Sequence, residues 1–211
     1  MRIAFLLFDR FTALDVTGPY DVLSHLPGAE TTFVAERPGP VANEVGSLRL
    51  YADAALADVP RPDVIVVPGG PGQNAHMADG PVRRWLRAAD QHSTWTASVC
   101  TGSLLLAAAG LLNGRRATTH WLRHDDLVPL GAIPTPERVV FDGKYVTAAG
   151  VSAGLDLAFA LAGRIAGDFV AQSIQLAHEY DPQPPYRAGS PATAPPAVVE
   201  AIRARRAAIV N

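Results

Sequence analysis

Short apolar runs alternating with helical stretches constrain this chain more than any other feature. The runs are RIAFLLF (2–8), TTFVAE (31–36), DVIVVPGG (63–70) and TWTASV (94–99). Each has strand length, and turn or charged residues bound it. Stretches with a helical pattern lie at 13–26, 81–92 and 101–112. Pro27-Gly28 stops the first, Pro81 opens the second and Asn113-Gly114 follows the third. Strands that alternate with helices pair mostly in parallel, and the helices cover both faces of the sheet. The expected fold is therefore α/β. In such sheets the crevice lies at the carboxyl ends of the strands, where function is expected.

The rest of the chain fits around that frame. Residues 41–58 are mixed and predict a small hairpin. ERVVFDGKYVTAAG (137–150) predicts another, turning at Asp142-Gly143. Residues 151–166 and 168–180 read as two helices in series, with Leu155, Phe159, Leu161 and Ile165 as buried positions. After Tyr180 comes DPQPPYRAGSPATAPP, too rich in proline for a packed element and expected to wrap over a surface. Residues 197–209 predict a last helix. There is no internal repeat and no long linker, so 1–211 reads as one domain with a proline-rich tail from about residue 181.

Composition excludes several classes. Hydrophobic residues make up 48% and charged residues 18%, enough apolar content for a sizeable core. The formal net charge of −2 does not indicate a nucleic-acid-binding surface. No run of 18 apolar residues is free of charge or turn signals, so no membrane span is expected. The first residues, MRIAFLLFDRF, read as a strand and not a signal peptide, and a cytoplasmic protein is expected. A single cysteine rules out an internal disulfide and any zinc site built from several cysteines.

That cysteine sits in Val99-Cys100-Thr101-Gly102, where a buried strand runs directly into a helix. A turn this sharp pushes the side chain out at the top of the sheet, as in a nucleophile elbow. The helix N-terminus offers free N–H groups and a positive field, which favour thiolate over thiol. A lone cysteine is more often a small buried hydrophobe. Here the strand–turn–helix context favours a nucleophile.

Two other segments belong to the same strand ends. Pro68-Gly69-Gly70-Pro71-Gly72 lets backbone approach a ligand closely, and the N–H groups of Gly70 and Thr101 could form a two-donor hole. Read alone, it is as well explained as a plain turn. Asp15 opens the first helix within Leu14-Asp15-Val16. The plain reading is a helix-capping carboxylate. The functional one puts Asp15 in the crevice facing Cys100, where carboxyl and thiol would tend to hold one shared proton.

What is missing also narrows the chemistry. Residue 101 is threonine, so no histidine follows the nucleophile. His120 and His124 stand four apart in HWLRH, but no glutamate follows His120 as in the zincin motif. A zinc site is not expected there, and His120 reads as a packing or hydrogen-bonding residue near the site.

At these residues the chain resembles the ThiJ/PfpI superfamily. The resembling pieces are FLLFDRFTALDVTGPYDVL (5–23), VIVVPGG (64–70), SVCTGSLLLAAAGLL (98–112), RATTHW (116–121), LGAIP (130–134), ERVVFDG (137–143) and AGSPATAP (188–195). They span nearly the whole chain. SVCTG and ATTHW are shared with the sensor domains of AraC-type regulators; the tail 179–196 favours the isocyanide hydratase branch. The resemblance implies a flavodoxin-like sandwich with an elbow cysteine and a homodimer without a cofactor. It implies Cys100 as nucleophile, Asp15 as acid, and Thr101 and Gly70 beside them. The reaction it implies is hydration of a small-molecule isocyanide to an N-formamide, with neither nucleic acid nor membrane as partner. A ligand-sensing domain of the AraC-regulator type is the alternative, although the chain after residue 180 is short for two helix-turn-helix units. Other thiol activities of the superfamily, such as aldehyde detoxification or amide hydrolysis, form a third reading.

Overall fold

A computed structural model describes residues 1–206 and 209. The chain opens with β1 (Arg2–Leu6), α1 (Ala13–Leu23) and β2 (Glu30–Ala35). A hairpin of β3 (Gly39–Ala42) and β4 (Arg49–Ala52) leads to the short β5 (Ala54–Ala55). Then come β6 (Val64–Val67), α2 (Pro81–Asp90), β7 (Trp95–Val99) and α3 (Gly102–Ala108). The short strands β8 (Arg116–Ala117) and β9 (Ile133–Pro134) flank a 3₁₀ segment, Trp121–Leu130. β10 (Val139–Asp142) and β11 (Tyr145–Ala148) precede α4 (Ala153–Ala166), α5 (Asp168–Ala177) and α6 (Pro196–Ala204).

Seven strands form the central sheet, in the order β10-β11-β7-β6-β1-β2-β5. All neighbours pair in parallel except β10 with β11, the hairpin turning at Asp142-Gly143. Residues of β6 are buried on both faces, as a central parallel strand requires. Helices cover both faces. On one, α4 packs against α1, α5 and β11; the other group includes α2 and α3. A buried carboxylate ties the second group to the sheet. Asp90, at the end of α2, accepts from Tyr145 Oη at 2.9 Å and Thr96 Oγ1 at 2.6 Å, and pairs with Lys144 Nζ at 3.0 Å. This clamps α2 to β7 and β11.

The strand order reverses at β1, which has β2 on one side and β6 on the other. At such a switch the connections leave in opposite directions and open a crevice. The loops after β1, β6 and β7 converge there.

The structure adjusts several expectations. The helix expected over 101–112 ends at Ala108 and continues as turns. Of the four positions expected to be buried in 151–166, only Leu161 is fully so; Leu155, Phe159 and Ile165 pack against the core from its edge. Leu14, in the first turn of α1, is exposed, while its neighbour Asp15 is wholly buried. The last helix was expected to reach residue 209 and is α6; positions 207 and 208 of that expectation lie outside the described residues. Among the described residues no helix is long and apolar enough to cross a membrane.

The elbow between β7 and α3 is held against β6 so closely that only glycine fits at position 102. A Cβ there would lie 2.2 Å from the Val67 carbonyl oxygen and 2.7 Å from that of Pro68. Both contacts are backbone, so neither can swing away. Gly102→Ala is expected to destabilise the protein by about 3 kcal/mol, the upper end of overpacking costs. For a chain of this size the thermal midpoint should fall by roughly 6–12 °C, measurable by calorimetry.

Candidate active site

Cys100 is the one residue between β7 and α3 with left-handed backbone, at φ 56°. Such a conformation is costly for a residue with a side chain and persists only when its surroundings hold it. Here they do. The Cys100 N–H donates to the carbonyls of Ala148, the last residue of β11, at 3.1 Å and of Ala149 at 3.0 Å. Its own carbonyl accepts from Thr119 Oγ1 at 2.9 Å and Ser103 Oγ at 3.3 Å. The thiol therefore points into the crevice, 3% exposed.

Hydrogen-bond donors surround the sulfur. The N–H groups of Thr101 and Val151 and the Thr101 hydroxyl all bond to it. Thr101 Oγ1 in turn accepts from the Gly70 N–H at 3.0 Å. Gly70 thus reaches the sulfur through the Thr101 hydroxyl; the second backbone N–H on the thiol belongs to Val151, which sequence reading had not singled out. Gly70 adopts φ 128°, and a Cβ on it would lie 2.6 Å from both Arg10 O and Thr12 N. Glycine is required at this crossing of the β1 and β6 loops.

Asp15 stands in the first turn of α1. The Thr12 N–H donates to Gly69 O at 2.9 Å, and the Gly69 N–H donates back to Asp15 Oδ2 at 2.8 Å. The pair locks α1 to the β6 loop and aims the carboxyl at the thiol, to which it is hydrogen-bonded. The crevice placement expected for Asp15 is what the structure has. Among the described residues its Oδ1 is buried without a hydrogen-bond partner.

Burial dominates the electrostatics. It pushes Asp15 up to about 7, helped by the charge of Glu44 and opposed by the Gly69 N–H and Cys100. It also pushes the Cys100 thiol up, and the Asp15 carboxylate adds to this; the N–H donors of Thr101 and Val151 pull the other way. The expectation that the helix N-terminus alone would favour the thiolate is corrected: α3 has only seven residues, and dehydration outweighs its field. Both groups resist ionisation beside each other, so two negative charges in the site are disfavoured.

Beside the elbow lies a cavity of about 720 Å³. Its walls include Leu14, Thr119, His120, Trp121, Val151 and Pro191. The tail expected to wrap over a surface supplies residues 189–192 to this wall. His120 packs its ring edge on Gly150, accepts from the Leu122 N–H at 3.3 Å, and is lowered to about 4 by burial. It is neutral at physiological pH and contributes shape, not charge. Among the described residues no cluster of three metal-ligating side chains occurs.

The geometry has a family. Residues 1–164 match the DJ-1/PfpI family, and the chain belongs to it. The chain is 47% identical to the isonitrile hydratase of Pseudomonas putida, over 98% of its own length and 90% of that protein. A ThiJ/PfpI family protein from Pseudomonas syringae, solved by crystallography, superposes with a TM-score of 0.94 at 36% identity, covering 98% of this chain and 88% of that one. An HTH-type transcriptional regulator of Pseudomonas aeruginosa, CdhR, is 32% identical over 67% of this chain, which spans only 42% of the regulator.

Asp15 should leave a mark on stability. Its folded pKa lies above the unfolded value, so the stability present below pH 4 is lost as pH rises through about 7. The loss should be on the order of 4 kcal/mol. Asp15→Asn mimics the neutral acid and is expected to remove most of it. Urea unfolding at pH 5 and pH 8 measures the effect: a wide gap in the native protein and a narrow one in the variant.

Proposed function

We propose that this protein hydrates isocyanides to N-formamides, with Cys100 as nucleophile and Asp15 as acid and base. The observation that carries the reading is the 47% identity to an isonitrile hydratase across 98% of the chain. The arrangement of thiol and carboxyl supports it, because the reaction needs a nucleophile and a proton donor at the same carbon.

Cys100 hands its proton to Asp15, and the thiolate so formed attacks the terminal carbon of R–N≡C, forming the C–S bond. Asp15 gives its proton to that carbon, and a thioimidate results. Water then adds to the thioimidate carbon; Asp15 accepts a water proton and passes it to nitrogen. The tetrahedral adduct collapses, the C–S bond breaks, and the hydroxyl proton returns to Asp15. The products are R–NH–CHO and a thiolate–acid pair that holds the same single proton as at the start. The N–H groups of Thr101 and Val151 hold the sulfur throughout, and Gly70 orients the Thr101 hydroxyl.

The cavity beside the elbow is the place for R. Its volume falls in the usual range for small-molecule sites, roughly 300–1,000 Å³. Trp121, Leu14 and Pro191 give it an apolar lining suited to a substrate with one weak polar end. The same reading takes the chain as a single domain with a proline-rich tail, working as a homodimer in the cytoplasm.

Loss of cyclohexyl isocyanide and appearance of its formamide provide the assay. Cys100→Ala is expected to abolish turnover while its circular dichroism stays native. Asp15→Asn should keep a thiol that iodoacetamide can alkylate but lose about 10²–10⁴-fold in turnover, the usual worth of a positioned acid or base. Native turnover together with undiminished activity in Cys100→Ala would sink the covalent route.

A further inference from the structure

One charged side chain on the cavity wall has no acid to pair with. Glu137, Arg138 and Arg203 all line the cavity. Glu137 accepts from Arg116 Nη2 at 2.5 Å, and Arg138 pairs with Asp156. Arg203, on α6, makes no ion pair among the described residues. Glu200 stands three residues earlier on the same helix and does not pair with it. Asp126 is taken by Arg206, at 3.1 Å from both carboxylate oxygens, and by Arg123. What holds Arg203 is the Trp121 ring, whose centre is 5.8 Å from the guanidinium carbon. A guanidinium on an aromatic face keeps its N–H edge free for an anion. No residue of α6 is fully buried; Arg206 on Asp126 and Arg203 on Trp121 dock the helix at the cavity.

The contacts also give an order along this wall. The Val151 N–H is bonded to the sulfur. Its neighbour Gly150 packs on the His120 ring, where a Cβ would lie 2.7 Å from Cδ2. His120 stacks on Trp121 with ring centres 6.1 Å apart, and Arg203 lies over Trp121. From thiol to guanidinium the wall therefore runs Val151, His120, Trp121, Arg203. Two rings separate a reacting end from a charged end. A second polar group of the same cavity is also unsatisfied: His124 lines it, and its Nε2 is buried with no hydrogen-bond partner among the described residues. A ligand site of this kind is mostly apolar, with a few polar groups that fix orientation.

We infer that the site takes isocyanides whose R group ends in a carboxylate, and that Arg203 binds that end. The isocyanide carbon sits at Cys100, the body of R lies along His120 and Trp121, and the guanidinium edge receives the carboxylate in a forked pair of N–H···O bonds. His124 Nε2 offers a further polar contact in the same cavity. Arg203 takes no part in making or breaking bonds; it sets which R is preferred. For turnover this inference rests on the hydratase reading; for binding of the carboxylate it does not.

The experiment compares 6-isocyanohexanoate with its methyl ester, which has the same chain and no charge, in the native protein, Arg203→Gln and Arg203→Lys. The readout is the ratio of the two KM values. In the native protein it should favour the acid by about tenfold, a moderate value for a charge-assisted bond at a wall open to water. The preference should vanish in Arg203→Gln and survive in part in Arg203→Lys, and added salt should erode it in the native protein. Equal KM values for acid and ester in the native protein overturn the inference. So does an Arg203→Gln variant that weakens acid and ester alike and keeps the native ratio, because that result assigns Arg203 to the docking of α6. A binding measurement needs no turnover: by titration calorimetry 6-formamidohexanoate should bind the native protein about tenfold more tightly than it binds Arg203→Gln. If that difference holds while no isocyanide is consumed by any of the proteins, the carboxylate subsite stands and the hydratase reading falls. Equal binding of 6-formamidohexanoate to both proteins overturns the subsite.

Discussion

The site depends on one exchange of hydrogen bonds between α1 and the loop after β6. Thr12 gives its N–H to Gly69, and Gly69 gives its N–H to Asp15. These two bonds, both removed from water, set the entry of α1 and the aim of its first carboxyl. They also bring the β6 loop under the elbow, so that the next residue, Gly70, reaches the Thr101 hydroxyl. Dry hydrogen bonds are costly to leave unmade, so the loop and helix have one arrangement and not several. The thiol, its donors and its acid are fixed relative to one another before any substrate arrives.

The arrangement is obtained against local preference. Cys100 adopts a backbone conformation that costs a side-chain-bearing residue energy, and Asp15 is an acid without water. Each is tolerated because rigid structure surrounds it: paired parallel strands on one side and the α1–α4 contact on the other. Burial raises both ionisable groups, and under the proposed mechanism this leaves one proton for thiol and carboxyl to trade. A more exposed site would ionise both groups independently and lose that coupling.

The fold alone does not choose the chemistry. Likeness to this chain runs through an isonitrile hydratase and through part of a transcriptional regulator. What distinguishes this chain is likeness sustained across nearly the whole length of the hydratase, including the tail segment that closes one wall of the cavity.

Much of this was legible in the residues alone. The alternation of apolar runs and helical stretches determined a parallel α/β sheet, because strands buried on both faces need helices on either side. The abrupt passage from TWTASV into a helix marked the elbow at Cys100, and a glycine-rich strand end marked its neighbour. These are local signals, carried by period and by turn chemistry within about ten residues. Only the tertiary structure decided the rest. It put Asp15 fully out of water while Leu14, one residue earlier, faces the cavity. It gave the second N–H on the sulfur to Val151 and the Gly70 N–H to a side chain. It brought Glu44, from a hairpin with no motif, near enough for its charge to bear on the acid. It also reversed the direction of the thiol pKa expected from the helix N-terminus. The reason is common to all four: burial and hydrogen-bond partnership depend on which loops converge at the β1–β6 switch, and residues far apart in sequence carry no local mark of that meeting.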